Sequence, residues 1–137
     1  MSKKMKRNTV LFSVLLLVIL LLIIMITRYQ SHTDLYSKQV SLGTINRNIE
    51  DNKSVYVYYY QTNCIHCKKV SPYLIPLGEK QKEKFIILDL EKYTEGWEKK
   101  NIMVTPTLIY YKDGKEVSRI EGEHTEKEYE KFFNNQN

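Results

Sequence analysis

The sequence predicts an α/β domain, a mixed central sheet flanked by helices, preceded by one N-terminal transmembrane helix. Three observations predict it. The run Val10 to Ile26 is apolar except for Ser13. Beyond it, short β-branched and aromatic runs alternate with segments of helical spacing. An Asp-Gly turn then joins the last two strand-like runs.

The elements follow in order. Leu42 to Asp51 places Leu42, Ile45 and Ile49 on one face, which predicts a short amphipathic helix. Ser54 to Tyr60 is a β-branched and aromatic run bounded by polar residues and reads as a strand. From Cys64 onward Cys67, Val70, Tyr73, Leu74 and Leu77 recur every three or four residues. That is a helix, with Pro72 expected to bend it and Gly78 to stop or loosen it. Phe85 to Asp89 is nearly all apolar and reads as an interior strand. Tyr93 to Lys100 is a weaker helical segment carrying Trp97. Thr107 to Tyr111 is the next strand, Lys112 to Lys115 the turn and Glu116 to Ile120 the returning arm. Thr125 and Glu128 have capping-box spacing and open a last helix burying Tyr129, Phe132 and Phe133. The crossover after the first strand predicts a parallel pair, and the final hairpin an antiparallel one.

The organisation expected is a basic segment over 1–9, an anchor over 10–27, a polar tether over 28–35 and the folded domain over 36–137. Seventeen apolar-run residues give roughly 25 Å of helix, near the lower limit for a hydrocarbon core of about 30 Å. A cleaved signal would need small residues after the run. Ile26-Thr27-Arg28-Tyr29-Gln30 supplies none, and no cysteine precedes Cys64 for lipid attachment. Lys3, Lys4, Lys6 and Arg7 precede the run, so the positive-inside rule puts the N-terminus in the cytoplasm and the domain outside.

Charge excludes one tempting class. Of 21 basic residues four lie before the apolar run, and all 16 acidic residues lie after it, leaving 17 basic against 16 acidic beyond it. Four of the chain's net +5 therefore belong to the anchor's flank, and nothing resembles a nucleic-acid stripe.

The two cysteines, Cys64 and Cys67, are three apart. A bridge closing so small a loop stabilises little by chain entropy, so its value is chemical. At a strand-to-helix junction Cys64 meets unpaired N–H groups and the positive end of the helix dipole, which favour thiolate. Cys67, one turn inward, is shielded. His66 between them can donate a hydrogen bond or place positive charge near Cys64, tuning its pKa. Tyr56, Tyr58, Tyr59 and Tyr60 alternate across a strand and are expected to line core and groove. A zinc site would use the cysteines with His32 or His124, but no second closely spaced pair exists. Haem attachment would need His at position 68, which is Lys.

The block Tyr60-Gln-Thr-Asn-Cys-Ile-His-Cys-Lys-Lys-Val-Ser-Pro72 resembles the active-site segment of the thioredoxin superfamily. Thr105-Pro106 before a strand is similar to its cis-proline loop, and Lys112-Asp113-Gly114-Lys115 to its hairpin. The likeness covers roughly residues 35 to 135. It is narrower still to the small membrane-anchored members of Gram-positive bacteria, disulfide bond formation protein A and the bacteriocin transport accessory proteins. Tyr110 to Glu116, Arg119 to Gly122 and the ending Tyr129-x-x-Phe132-Phe133 are similar to the former.

The resemblance implies a thioredoxin-like fold and a thiol–disulfide oxidoreductase. Cys64 would be the nucleophile, Cys67 the resolving partner, and Thr105 with Pro106 the site that binds an extended client. No cofactor or metal is implied. The implied partners are exported thiol-containing proteins or peptides and a quinone-linked integral membrane protein that regenerates the disulfide. Two departures from thioredoxin itself lean toward an oxidase. Tyr58 stands where thioredoxin has a buried aspartate, and Ile65-His66 where it has Gly-Pro. The alternatives are a reductase using the same atoms, or an accessory or immunity factor that acts by binding alone.

Overall fold

The computed structural model describes residues 3–52 and 54–136. It divides into two units, Met1–Asp34 and Leu35–Asn137. The first is made of helix α1, Lys3–Leu35. Arg7–Arg28 forms its apolar stretch, with a mean hydropathy of 3.4 and none of it buried. At 1.5 Å per residue those residues span about 33 Å, enough for a bilayer core. Large apolar side chains from Val10 to Ile26 are exposed all round, a surface that water does not favour. The polar stretch 28–35, expected as a tether, is helical throughout.

In the second unit, helix α2 (Leu42–Asp51) begins where Ser41 Oγ accepts the Thr44 N–H at 3.2 Å. Strand β1 (Ser54–Tyr60), helix α3 (Ile65–Glu79), strand β2 (Lys84–Asp89), the single turn α4 (Gly96–Lys99), strands β3 (Thr107–Lys112) and β4 (Lys115–Glu121), and helix α5 (Glu126–Asn134) follow. The sheet order is β2-β1-β3-β4. β1 and β2 are parallel, while β1/β3 and β3/β4 are antiparallel. This mixed sheet flanked by helices is the fold the sequence predicts.

β1 is the spine, and period-2 alternation divides its residues between two cores. Tyr56, Tyr58 and Tyr60 pack with Cys67, Val70 and Leu74 of α3 and with Tyr129 and Phe133 of α5. Val55, Val57 and Tyr59 pack on the other face with Leu42, Ile45 and Ile49 of α2. All four tyrosines of the strand are at most 1% exposed, so none lines a groove. Asp113 (φ 49°) and Gly114 (φ 77°) supply the left-handed pair that the β3–β4 reversal demands. A register shift between Tyr110 and Tyr111 explains the imperfect alternation of the returning arm.

Four local expectations change. β2 is not interior; it lies at the sheet's edge. Its apolar run is explained by burial on both faces, and Gln39 and Val40 cover its edge through a bridge to Ile87. α4 is only one turn long, shorter than the segment Tyr93 to Lys100. Phe132 is half-buried, unlike Tyr129 and Phe133. Helix α3 runs through both Pro72 and Pro76 to Glu79, so Gly78 does not stop it.

Gly78 instead lets α3 approach β2. A Cβ there would run into the Phe85 ring. Gly78→Ala is expected to cost about 1–3 kcal/mol through overpacking, although alanine is the better helix former. Urea unfolding of the two proteins checks it, and equal or greater stability of the variant would show that the ring yields freely.

Candidate active site

The chain reaches the site along β1. After Tyr60 the strand ends, and Gln61 to Asn63 turn into α3. The turn is held by β2's continuation: Glu91 carboxylate oxygens accept the N–H groups of Thr62 (3.2 Å) and Asn63 (3.3 Å). Thr62 Oγ1 donates to Asp89 at 3.1 Å, and Asp89 also accepts the Glu91 N–H. Asp89 and Glu91 thereby fix the approach of the backbone to Cys64. Neither is foreseen from the sequence, because a carboxylate 27 or 28 residues away leaves no local pattern.

Cys64 is the N-cap of α3, and its Sγ accepts the Cys67 N–H at 3.1 Å. It thus takes the place a serine or aspartate oxygen takes at other helix starts. Cys64 is half-buried, Cys67 fully buried, and both are free thiols. Burial alone would raise the Cys64 pKa. Hydrogen bonds from the Cys67 side chain and backbone N–H outweigh it, so the pKa falls below the ordinary thiol value. Burial, then the neighbouring Cys64 sulfur, pushes the Cys67 thiol up to about 12. The two sulfurs are therefore unlike: Cys64 is the more acidic and partly accessible one, Cys67 the shielded one that holds its proton.

The peptide bond Thr105–Pro106 is cis, and the Thr105 carbonyl oxygen lies 3.5 Å from Cys64 Sγ. The Thr105 hydroxyl donates to Gln61 Oε1 at 2.9 Å, tying this loop to the end of β1. Ile65, Met103 and Val104, which adjoin these residues in sequence, carry exposed apolar side chains.

His66 enters differently from its sequence-based role. Its Nδ1 lies 2.5 Å from Glu123 Oε2, and Lys69 Nζ lies 3.3 Å from the same carboxylate. These bonds, His66 first, hold the Glu123 carboxyl below its usual range. His66 reaches Cys64 through its backbone N–H, the last contributor to the lowered thiol pKa. Glu123 follows Gly122 in the β4–α5 loop, and no local signal announces it as a partner. His124, weighed as a metal ligand, places Nε2 3.0 Å from the Glu121 carbonyl oxygen. The side chain of His32 lies outside the described residues, and no group of three or more metal-ligating side chains occurs among the described residues.

A dithiol of unequal acidity at a helix N-terminus, beside a cis-proline loop, defines a thiol–disulfide exchange domain. The Thioredoxin family model matches residues 36–135. The chain belongs to the thioredoxin family, whose members are thiol–disulfide oxidoreductases. It is 35% identical over 99 residues to thioredoxin-2 of Saccharomyces cerevisiae, covering 72% of this chain and 86% of that protein. It is also 32% identical over 83 residues to mitochondrial thioredoxin-2 of Schizosaccharomyces pombe, covering 60% of this chain and 62% of that protein. The latter match spans less than two thirds of that relative's own length. Among solved structures, Schistosoma mansoni thioredoxin superposes with a TM-score of 0.62 at 31% identity, covering 72% and 95% of the two chains. Plasmodium falciparum thioredoxin gives 0.67 at 26% identity, covering 73% and 99%.

Proposed function

We propose that this chain is a membrane-anchored thiol–disulfide oxidoreductase that works outside the cytoplasm and forms disulfides in exported proteins or peptides. The carrying observation is Cys64 Sγ at the helix N-cap, 3.5 Å from the carbonyl oxygen that precedes cis-Pro106. In this reading Cys64 is the sulfur that clients attack, and Cys67 is the partner it bridges. The Thr105 backbone pairs with an extended client beside Pro106. A client thiolate bonds to Cys64, the Cys64–Cys67 bond breaks, and its electron pair goes to Cys67. The client's second thiol then displaces Cys64, leaving an oxidised client and a reduced enzyme. An electron acceptor in the membrane, a quinone-linked integral protein as the family resemblance implies, reoxidises the pair.

The 22-residue apolar helix supports the anchor, and the basic residues before it support an outside domain. Tyr58 in place of a buried acid supports oxidation over reduction.

A second reading, reduction of client disulfides by the same sulfurs, has two observations in its favour. The His66 imidazole is bonded to Glu123, and the two yeast relatives are thioredoxins. Equilibration of the full chain in detergent micelles with defined glutathione ratios separates the two. A potential of about −120 to −180 mV supports the oxidase, and one near about −270 mV replaces it with the reductase.

A further inference from the structure

The imidazole between the two cysteines is held by a segment far from it in sequence. His66 Nδ1 lies 2.5 Å from Glu123 Oε2, and Lys69 Nζ lies 3.3 Å from each oxygen of that carboxylate. His66, Lys69 and Tyr73 follow at intervals of three and four along α3 and form one stripe of its surface. The Tyr73 hydroxyl donates to the His124 carbonyl at 2.5 Å, so Glu123 and His124 together engage the whole stripe. The segment is fixed from its other side as well. The Gly122 N–H donates to the Pro106 carbonyl at 2.7 Å, and the Tyr129 hydroxyl donates to the Gly122 carbonyl at 3.0 Å. Gly122 takes a φ of 86°, the left-handed conformation that turns the chain out of β4.

An exposed carboxylate meeting exposed basic side chains contributes little to stability. Its consequence here is positional. Glu123 stands on a backbone tied to cis-Pro106, to α3 and to α5, so the imidazole bonded to it is held as well. The other carboxylates of the loop are engaged elsewhere: Glu121 pairs with Arg119 at 3.0 Å, and Glu128 lies 3.3 Å from His124 Nδ1. Cys64 Sγ meanwhile accepts the Cys67 N–H at 3.1 Å and lies 3.5 Å from the Thr105 carbonyl oxygen. In the reduced pair Cys64 is the more acidic sulfur, and an N–H from an unheld imidazole would favour its thiolate further. Stabilising that anion stabilises the reduced form and makes the disulfide a stronger oxidant. Holding the ring elsewhere does the reverse.

We propose that Glu123 is a positioning residue of the exchange site: it keeps the His66 imidazole off Cys64 Sγ and so sets the Cys64–Cys67 pair at a more reducing potential than Cys64-Ile65-His66-Cys67 would have unaided. The inference deepens the exchange reading and rests on it. Part of the control of the potential then lies outside the cysteine segment, 57 residues along the chain from His66. The bonds from His66 and Lys69 hold the Glu123 carboxyl below its usual range, so the acceptor is charged at neutral pH. Lys69 anchors the carboxylate from one helical turn further along α3, which leaves the first turn of the helix to His66.

The test equilibrates the full chain in detergent micelles with defined glutathione ratios and compares variants with the parent. Glu123→Ala is expected to need about threefold to tenfold more glutathione disulfide to stay half oxidised, tenfold being a shift of about 30 mV toward oxidising potentials. Glu123→Gln, which keeps the length and an acceptor oxygen, is expected to shift it in the same direction by less. Cys64 ionisation, read from its alkylation rate against pH, is expected to move to lower pH in both. In a His66→Ala background, Glu123→Ala is expected to change the equilibrium by less than about twofold, because the ring it positions is gone. Potentials that coincide with the parent overturn the assignment. An equal shift with and without His66 also overturns it, since Glu123 would then act on the sulfur directly. If Glu123→Ala does not fold, Glu123→Gln decides by the same readings. The parent's absolute potential separates oxidase from reductase, while the difference between variants judges Glu123. A parent that forms no Cys64–Cys67 disulfide at any ratio would overturn the exchange reading itself and the role of Glu123 with it.

Discussion

Cys64→Ser is expected to reduce disulfide exchange by more than about three orders of magnitude, the scale on which losing a covalent nucleophile acts. Serine can keep the cap, because its oxygen accepts the Cys67 N–H as well as sulfur does. The fold is therefore expected to survive while the chemistry disappears. Cys67→Ser is expected to behave differently. Cys64 remains accessible, retains its cap bond and still attacks disulfides. The partner needed to release the client is gone, so mixed disulfides accumulate. Non-reducing electrophoresis of both variants with a disulfide-containing peptide, beside a rate measurement, reads the two outcomes. Exchange retained by Cys64→Ser would show that Cys64 is not the reacting sulfur, whereas absence of exchange in the parent chain would transfer it to the class of accessory factors that act by binding.

Much of this site is legible in the sequence because its signals are local. Cys64, Cys67 and the proline pattern of α3 lie within one segment. The Asp113-Gly114 turn announces itself by the backbone angles it needs. The two faces of β1 follow from alternation alone. What stays hidden is what the tertiary fold brings together across long stretches of chain. Glu123 reaches His66 from 57 residues away and takes up the imidazole that the sequence assigns to the Cys64 sulfur. Glu91 clamps the turn before Cys64 from 28 residues away. Gly78 reads as a helix breaker until Phe85 is seen against it. β2 reads as interior because its composition reports burial of its faces, whereas its position reports hydrogen bonding along its edges. Ser71 looks like an ordinary polar residue in a helix. Only the opposing Tyr58 hydroxyl shows it to be a buried hydrogen-bond partner.

The same tyrosine-rich strand predicts an unusual response to alkali. The reduced protein is expected to lose stability steadily above about pH 9 and to unfold near about pH 11. In the unfolded chain a thiol ionises near about 8.5 and a tyrosine near about 10. In the fold, burial raises Cys67 and Tyr111 to about 12. Burial also raises Tyr56, Tyr58, Tyr59, Tyr60 and Tyr129. Each folded pKa lies above its unfolded value, so over that window the native state binds more protons than the unfolded one. Stability from these groups is complete below the unfolded pKa and declines as pH rises toward the folded one. One such group removes up to about 1.4 kcal/mol per pH unit inside its window. Several acting together exhaust a total of about 5–15 kcal/mol within one or two units. Cys64 works in the opposite sense. Its lowered pKa adds stability to the reduced form above the ordinary thiol value, and that part is lost as pH falls through the folded one. A single group does not offset seven. Urea midpoints between about pH 8 and 11, followed with tyrosinate absorbance, check the account. It requires the larger part of the tyrosinate signal to appear together with unfolding; the larger part appearing near pH 10 in a chain that is still folded would show that β1's hydroxyls meet water.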